Sequence, residues 1–363
     1  MKVIHTPGHT MESTTYLLID ENGKEHGIIT GDTLFIGDVG RPDLAQHVVA
    51  DLTQDKLARH LFHSLREKIM PLSDDLIVYP NHGAGSACGK MMSKETTDTL
   101  GNQKKTNYAL RADMTREEFT SEVLDGLGVP PAYFPQNVMM NIQGYASLDS
   151  VMDKSKKPLN PTEFKAIAND MNAIILDVRH ENDFVKCHIP RSIFIGIQGN
   201  FAPWVGSVLK DINTKILLVC DHGQEQEAIL RLSRVGFDNC IGYLNGGFKT
   251  WKDSGNSIGT IDSISASGLE EVIDQDGEII DVRQLGERNN GRLKKSAHIP
   301  LGLIDIKNDH LNKLNRYYIH CAGGYRSMIA CSVLKKQGFK NLIDVDGGFE
   351  SITSNTSLKI ISS

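Results

Sequence analysis

A cysteine at the start of a glycine-rich loop is the clearest chemical signal in this sequence. The loop follows an apolar run, precedes a helical pattern, and consists of Cys321, Ala322, Gly323, Gly324, Tyr325 and Arg326. Two adjacent glycines let the backbone curl so that successive N–H groups point inward and form an anion-binding nest. Arg326 and the N-terminal end of the next helix add positive charge, which favours a reactive thiolate at Cys321. We therefore predict that Cys321 is a nucleophile, that Arg326 assists it, and that the four residues between them contact the substrate.

An earlier loop of the same length carries the opposite charge. It begins at Cys220, and Glu225 stands at the position that Arg326 occupies in the later loop, with Asp221 as a further carboxylate. Carboxylates beside a thiol disfavour the thiolate and repel anionic sulfur donors. We expect Cys220 to be inactive, and we keep Cys187 as a weaker alternative nucleophile.

Three potential metal ligands lie at the ends of predicted strands. Residues 14–31 have the pattern of a β-hairpin with an Asn-Gly turn, and its second strand runs into Asp32. His9 follows the first predicted strand, and His82 follows another predicted strand at residues 76–80. Side chains at neighbouring strand ends can converge on one metal ion, and imidazole and carboxylate groups suit iron or zinc.

The elements that position these groups include an internal repeat. Four landmarks recur in one order, pairing residues 174–179 with 278–283, 187–190 with 297–300, Cys220 with Cys321, and 246–248 with 347–349. Within each copy, short β-branched runs alternate with helical patterns, which predicts a parallel sheet covered by helices. We therefore predict an α/β multidomain chain with domains at residues 1–150, 155–258 and 262–363, and a linker at residues 154–158.

The Cys321 loop resembles the active-site loop of the rhodanese family of sulfurtransferases, and the resemblance covers the whole of residues 262–363. It implies that Cys321 takes up sulfane sulfur as a persulfide and passes it to a nucleophile. The Cys-x4-Arg spacing is similar to that of the sulfurtransferases, whereas the related phosphatases resemble Cys-x5-Arg and accept a larger anion. Residues 155–258 resemble the same scaffold, but Glu225 marks them as an inactive domain that packs, positions or docks.

Residues 1–150 resemble the metallo-β-lactamase superfamily and, within it, the persulfide dioxygenases. The resemblance is carried by residues 5–10, 31–35, 40–43, 82–89 and 99–144. It implies one Fe(II) held by His9 and Asp32. It also implies that His82 lies near the metal without being a ligand, and that Arg41 lies near the substrate. Enzymes of this family convert a low-molecular-weight thiol persulfide and O2 to sulfite and the thiol.

The first iron-binding histidine of that family, which belongs to an HxHxDH segment, has no counterpart here. None of the 13 histidines is part of an HxH pair. His5 lies on the same predicted strand as His9 and is expected to point elsewhere. We expect that the chain begins downstream of the missing segment and that the iron site is incomplete. Half of an αββα sandwich would then be absent, which leaves apolar sheet surface uncovered.

The amino-acid composition disfavours several other classes of protein. The 363 residues are 40% hydrophobic and 23% charged, as in a globular protein of several domains. A formal net charge of -6 disfavours nucleic-acid and membrane binding. The sequence has neither an apolar run long enough to cross a membrane nor the pattern of a signal peptide, which favours the cytoplasm. Six cysteines without a CxxC pair favour free thiols over disulfides or structural zinc.

The three-part pattern resembles bacterial fusions of a persulfide dioxygenase with rhodanese domains, and it predicts a role in sulfide or persulfide detoxification. The dioxygenase step, impaired by the missing ligand, would be coupled to a rhodanese that joins persulfide sulfur and sulfite as thiosulfate. One alternative is a zinc-dependent thioester hydrolase similar to glyoxalase II that carries rhodanese domains. Another is a non-catalytic sulfur-carrier or docking protein. The sequence leaves the oligomeric state open, including a homo-oligomer.

Overall fold

The computed structural model describes residues 1–44, 51–127, 133–275 and 277–362. These residues divide into two units, Met1–Gly144 and Tyr145–Ser363. Residues 128–132, which belong to the predicted helical segment 99–144, lie outside the described ranges. Within those ranges no helix combines the length and the apolar character needed to cross a membrane.

The N-terminal unit is built on a five-stranded sheet in the order β1-β2-β3-β4-β5. Its strands are β1 (Lys2–His5), β2 (Thr14–Ile19), β3 (Glu25–Gly31), β4 (Ile77–Pro80) and β5 (Asp98–Thr99). Neighbouring strands are antiparallel, except that β3 and β4 are parallel. Its helices are α1 (Gln54–His63), α2 (Leu100–Thr106), α3 (Arg116–Leu124) and α4 (Phe134–Gln143), with a π-helical turn at Ser64–Ile69 and a 3-10 turn at Tyr108–Leu110.

The predicted hairpin is confirmed, because β2 and β3 pair in antiparallel register. One Asp20 carboxylate oxygen accepts the backbone N–H groups of Asn22 and Lys24, each at 2.9 Å. Gly23 has a φ of +80°, which residues with a Cβ rarely adopt. This local turn chemistry sets the register of β3 and so delivers Asp32 to the end of that strand.

The two faces of this sheet differ. On the inner face, Leu17, Ile28 and Val78 are at most 1% exposed and share one apolar core with α1. On the outer face, a row of apolar side chains stands in cross-strand register, namely Val3, Tyr16, Ile29 and Tyr79. Each of the four is between 37% and 64% exposed. The structure therefore has the uncovered apolar sheet surface that the sequence analysis expected.

The C-terminal unit contains two further five-stranded sheets, in the orders β6-β10-β9-β7-β8 and β11-β16-β15-β12-β14. The elements of the first are α5 (Leu148–Ser155), β6 (Pro158–Leu159), α6 (Pro161–Asp170), β7 (Ile174–Asp177), α7 (Glu181–Lys186), β8 (Ile193–Phe194), α8 (Phe201–Leu209), β9 (Ile216–Val219), α9 (Glu225–Ser233), β10 (Cys240–Leu244) and α10 (Gly247–Asp253). The second is accompanied by β11 (Asp262–Ile264), α11 (Ala266–Val272), β12 (Glu278–Asp281), α12 (Leu285–Asn289), β13 (Arg292–Leu293), β14 (Ser296–His298), a 3-10 turn (Leu301–Leu303), β15 (Arg316–His320), α13 (Tyr325–Lys336), β16 (Asn341–Val345), α14 (Gly348–Asn355) and β17 (Ile360–Ile361). Of these, β13 and β17 form a separate antiparallel pair.

Both sheets are parallel, as predicted. Strand β9 is buried along its whole length, as expected for a parallel strand covered by helices on both faces. The two sheets have the same strand order, so the repeat seen in the sequence is a repeat of one fold. We refer to them below as the Cys220 domain and the Cys321 domain.

One landmark of the predicted repeat has the wrong register. Strand pairing sets Asp177 opposite Phe194 in the first copy and Asp281 opposite His298 in the second. Residues 297–300 are therefore equivalent to residues 193–196 and not to residues 187–190. The two segments share a His-Ile-Pro string, but pairing with the neighbouring strand, β7 or β12, defines structural equivalence.

The start of the C-terminal unit also differs from the prediction. Residues Leu148–Ser155 form α5, which packs against α9 and β10, with Val151 3% exposed. Pro158 then begins β6, which pairs with β10. The predicted linker at residues 154–158 is thus part of helix and strand. The boundary between the two units falls after Gly144, and the predicted domain bounds at residues 150, 155, 258 and 262 stay predictions.

Candidate functional site

Cys321 lies between β15 and α13, and its side chain is 1% exposed. The backbone N–H of Gly324 donates a hydrogen bond to Cys321 Sγ at 3.1 Å, and Ser327 Oγ lies 3.6 Å from the same sulfur. Gly324 has a φ of +107°, so the turn that directs this N–H at the sulfur favours glycine. Donors aimed at a sulfur atom stabilise negative charge on it. The loop can therefore stabilise a thiolate or the terminal sulfur of a persulfide.

The Gly-Gly-Phe landmark supports this loop from behind. The N–H groups of Phe349 and Glu350 donate to the carbonyl oxygens of Cys321 and Ala322, at 2.7 and 3.0 Å. A Cβ on Gly348 would lie 2.7 Å from the Cys321 oxygen, which is too close for any other residue. The start of α14 thus approaches the loop closely because Gly348 has no side chain.

Arg326 is paired with a carboxylate. Its Nη1 and Nη2 atoms donate to the two Glu287 oxygens at 2.7 and 2.6 Å. Glu287 lies on α12, where it also accepts the N–H of Gln284 at 2.9 Å. Burial alone would lower the pKa of Arg326 and raise the pKa of Glu287. The pairing outweighs burial, so the pKa of Arg326 is raised and that of Glu287 is lowered. The sequence analysis expected an arginine that adds net positive charge beside Cys321, whereas the structure places a neutralising partner on it.

The Cys220 loop uses the equivalent amide differently. Gly223, the counterpart of Gly324, donates its N–H to Glu225 Oε2 at 2.9 Å. Burial, together with the negative charges of Glu225 and Asp177, raises the pKa of the Cys220 thiol. The Gly223 N–H therefore donates to a carboxylate, whereas the equivalent Gly324 N–H donates to the sulfur of Cys321. Cys187, the alternative nucleophile, lies at the end of α7, where its backbone oxygen accepts from Arg179 Nη2 at 3.0 Å.

In the N-terminal unit, His9, Asp32 and His82 meet. The Nε2 atoms of His9 and His82 each lie 3.3 Å from Asp32 Oδ2. The Nδ1 atom of His9 hydrogen-bonds to the backbone oxygen of Arg41 at 2.9 Å, which leaves Nε2 directed at Asp32. Burial lowers the pKa of His9 despite the opposing charge of Asp32, so the His9 imidazole is neutral at neutral pH.

Cys88 is a further donor that the sequence analysis did not assign. One potential ligand atom from each of His9, Asp32 and Cys88 lies within 4.8 Å of the other two. Burial and the Asp32 charge raise the pKa of Cys88 to about 11, so a cation that bound there would displace a proton. The available signal was the position of Cys88 six residues after His82. Spacing alone does not separate such a ligand from an ordinary loop cysteine.

The backbone around this cluster is tightly packed. A Cβ on Gly40 would lie 1.9 Å from the Asp32 carbonyl oxygen and 2.9 Å from His9 Nδ1. Arg41 is 5% exposed and donates to both Asp43 oxygens at 2.6 Å, so its carbonyl is well placed to orient His9. Its predicted position near a substrate stays a prediction.

The donor set fits a divalent transition metal. His9 supplies an imidazole, Asp32 a carboxylate, and either Cys88 or His82 a third group. Zinc accepts all of these donors, and iron accepts the imidazoles and the carboxylate, so the set alone does not select the metal. His5 does not join the cluster; its Nε2 atom hydrogen-bonds to the Met11 oxygen at 2.7 Å.

Comparisons with known proteins identify the C-terminal unit. The family described as Rhodanese-like domain matches residues 160–254 and 265–355, about half of the 363 residues. The Bacillus subtilis protein named "Putative sulfurtransferase YtwF" is 38% identical over 101 residues, which are 27% of this chain and 97% of that protein.

Two further comparisons, one with a curated protein and one with a solved structure, relate this chain to the metallo-β-lactamase fold. Mouse "Persulfide dioxygenase ETHE1, mitochondrial" is 30% identical over 125 residues, which are 34% of this chain and 40% of that protein. The crystal structure of a metallo-beta-lactamase from Staphylococcus aureus subsp. aureus COL superposes with a TM-score of 0.57 at 31% identity, covering 67% of each chain. The chain spans 60% or less of several other curated relatives.

Proposed function

Because this chain belongs to the rhodanese-like domain family, with an N-terminal region of metallo-β-lactamase fold that is homologous to a persulfide dioxygenase, we propose that it is a sulfurtransferase carrying sulfane sulfur on Cys321. The family places the chain in sulfur metabolism. The observation that carries the specific proposal is the 3.1 Å hydrogen bond from the Gly324 N–H to Cys321 Sγ.

The proposed transfer has two steps. The Cys321 thiolate attacks the sulfane sulfur of thiosulfate or a thiol persulfide, and the donor's S–S bond breaks. Sulfite or a thiolate leaves with the electron pair, and Cys321 now bears a persulfide. A nucleophile such as sulfite or cyanide then attacks the outer sulfur, and the Cys321 thiolate leaves. The loop amides stabilise the charge on sulfur at each stage.

The experiment is to incubate the full chain with thiosulfate, digest it, and look for a mass increase of one sulfur atom on the Cys321 peptide. Cyanide should then remove that sulfur as thiocyanate. A non-catalytic carrier would show the loaded peptide without steady turnover. Absence of the added sulfur with both thiosulfate and persulfide donors would contradict the proposal.

Glu287 should control the preference between donors. Its carboxylate neutralises Arg326, so a dianionic donor such as thiosulfate gains little from that cation. We expect Glu287→Gln to raise kcat/KM for thiosulfate about threefold to tenfold and to change it little for a neutral or singly charged persulfide. Glutamine keeps an oxygen that can accept the Gln284 N–H. Glu271→Gln on α11 removes the same charge from an exposed site and serves as the control. Unchanged donor preference in Glu287→Gln would contradict this assignment.

Cys220 should contribute nothing to turnover. The Gly223 N–H, which is equivalent to the Gly324 N–H, donates to Glu225, and the Cys220 thiol is buried beside carboxylates. We expect Cys220→Ser to retain sulfurtransferase kcat within about twofold of the wild type, since the sulfur-bearing residue is in the other domain. Sulfur found on the Cys220 peptide after thiosulfate treatment would reverse the roles of the two domains.

We further propose that the His9–Asp32 cluster holds one metal ion and that the N-terminal region is a persulfide dioxygenase whose conversion of a thiol persulfide to sulfite is impaired by its incomplete set of iron ligands. When bound, iron would supply O2 chemistry, as in the persulfide dioxygenases that the sequence resembles. His9, Asp32 and a third donor would hold the ion, while Arg41 orients His9 through its carbonyl group. Sulfite released there would be an acceptor for the Cys321 persulfide, giving thiosulfate. Oxygen consumption that depends on persulfide would support this activity, and thioester hydrolysis with two bound metal ions would favour the hydrolase alternative.

A further inference from the structure

Tyr325, which precedes Arg326 in the Cys321 loop, is held by the other rhodanese-like domain. Its hydroxyl donates a hydrogen bond to the Gly196 carbonyl oxygen at 2.6 Å. Its ring packs edge-on against Phe194, with ring centroids 5.8 Å apart. Both partners belong to residues 194–199 of the Cys220 domain, a segment that we call the clasp.

The clasp has space for the tyrosine ring because of two glycines. A Cβ on Gly199 would lie 2.9 Å from Tyr325 Cζ, and a Cβ on Gly196 would lie 3.2 Å from Tyr325 Cε2. Neither glycine has a positive φ, so the backbone conformation does not require them. At Gly199 the three nearest atoms all belong to the Tyr325 ring, so glycine is needed there for the room that the ring occupies. At Gly196 a Cβ would also approach Phe194 Cζ at 3.0 Å and the Arg179 carbonyl oxygen at 3.1 Å.

The clasp is in turn fixed to its own domain. Arg231 donates from Nη1 to the Ile197 carbonyl oxygen and from Nη2 to the Gly199 carbonyl oxygen, the latter at 3.1 Å. Arg231 lies on α9, the helix that follows the Cys220 loop. The helix that follows an inactive cysteine loop thus anchors the segment that contacts the active one.

The Cys321 loop needs an anchor of this kind. Gly323 and Gly324 leave its backbone with more conformational freedom than other residues would, and that freedom must be lost to aim the Gly324 N–H at sulfur. Tyr325 is the next residue and the first of α13, so holding its side chain restricts the loop from one end. Burial and the Glu181 charge raise the pKa of Tyr325, so its hydroxyl stays a proton donor at physiological pH. The counterpart in the Cys220 loop, Gln224, has a buried Oε1 atom without a hydrogen-bond partner in the described structure.

We propose that the clasp is a positioning element for the Cys321 loop, that Tyr325 is the residue through which it acts, and that this is the contribution of the Cys220 domain, whose own cysteine is proposed to be inactive. The expected effect on turnover rests on the proposed sulfurtransferase function. The expected effect on Cys321 reactivity does not.

The test uses Tyr325→Phe and Gly199→Ala in the full chain. The first removes the hydroxyl and keeps the ring. The second places a methyl group in the space that the ring occupies, and it leaves the sequence of the Cys321 domain unchanged. We expect each to lower kcat for sulfur transfer about threefold to tenfold, with the donor KM within about twofold. Alkylation of Cys321 by iodoacetamide, followed on its peptide by mass spectrometry, should require a higher pH in both variants. The double variant should lose little more than the stronger single one, because both remove the same contact.

Gly302→Ala is the control, since a Cβ at Gly302 meets no atom within 4 Å. It should keep the wild-type kcat and alkylation profile. The proposal is overturned if Tyr325→Phe keeps both, or if only the thermal unfolding midpoint falls. If Gly199→Ala does not fold, Tyr325→Phe still decides. If the wild type transfers no sulfur, the proposed function fails, and the alkylation profiles of Tyr325→Phe and the wild type still test the clasp.

Discussion

Cys321→Ser should abolish the formation of thiocyanate from thiosulfate and cyanide, with a loss of at least about a thousandfold in kcat. A serine hydroxyl is ionised far less readily than a thiol and does not form the persulfide link on which both steps depend. The substitution is nearly isosteric, and it leaves the Gly324 N–H and Ser327 Oγ with a hydrogen-bonding partner. The measurement is steady-state turnover, together with the mass of the 321-containing peptide after exposure to thiosulfate.

Cys187→Ser is the matched control, because it makes the same change at a partly exposed cysteine in the same unit. It should retain wild-type turnover, which would also remove Cys187 as an alternative nucleophile. Turnover that survives in Cys321→Ser and disappears in Cys187→Ser would show that the wrong cysteine has been assigned. Survival in both would exclude cysteine persulfide chemistry at either position.

Asp32→Ala should lower the metal affinity of the N-terminal unit by at least about a hundredfold, since changes outside the ligand shell alone commonly cost ten- to a hundredfold. Its Oδ2 atom is the common neighbour of His9 Nε2 and His82 Nε2, each at 3.3 Å, and its charge also acts on Cys88. Without this carboxylate, two imidazoles and the Cys88 thiol remain. The measurement is calorimetric titration of the metal-free chain with Zn²⁺ and Co²⁺.

Asp55→Ala is the control, because Asp55 is a half-exposed carboxylate on α1 that pairs with Arg59. It should leave the metal affinity unchanged. The absorption spectrum of the Co²⁺ complex identifies the third donor: a thiolate-to-cobalt charge-transfer band that is lost in Cys88→Ser would assign Cys88, and no such band would assign His82. An Asp32→Ala variant that binds the metal ion with wild-type affinity would contradict the proposed metal site. The incomplete iron site expected from the sequence stays a prediction, and Cys88 and His82 are the two candidates for its third donor.

Local patterns in the sequence were sufficient for several conclusions. The Asn-Gly turn predicted the β2–β3 hairpin because its conformation depends on a few neighbouring residues. The alternation of β-branched runs and helical patterns predicted two parallel sheets for the same reason. The Cys-x4-Arg and Cys-x4-Glu loops predicted that side chains of opposite charge stand at the same position in the two cysteine loops, because residue type can be read directly. The strand-end positions of His9 and Asp32 placed them near one another.

Only the tertiary structure gave the partners of these groups, because each partner lies far away in the chain. Glu287 reaches Arg326 across 39 residues, and Gly196 reaches Tyr325 across 129 residues. The register of the repeat depended on strand pairing, which a shared His-Ile-Pro string does not encode. Cys88 lies beside His9 and Asp32 because the fold brings its loop back to Asp32. Motifs therefore identified the candidate groups, while their charge balance, orientation and supporting contacts arose from side chains that meet only when the chain folds.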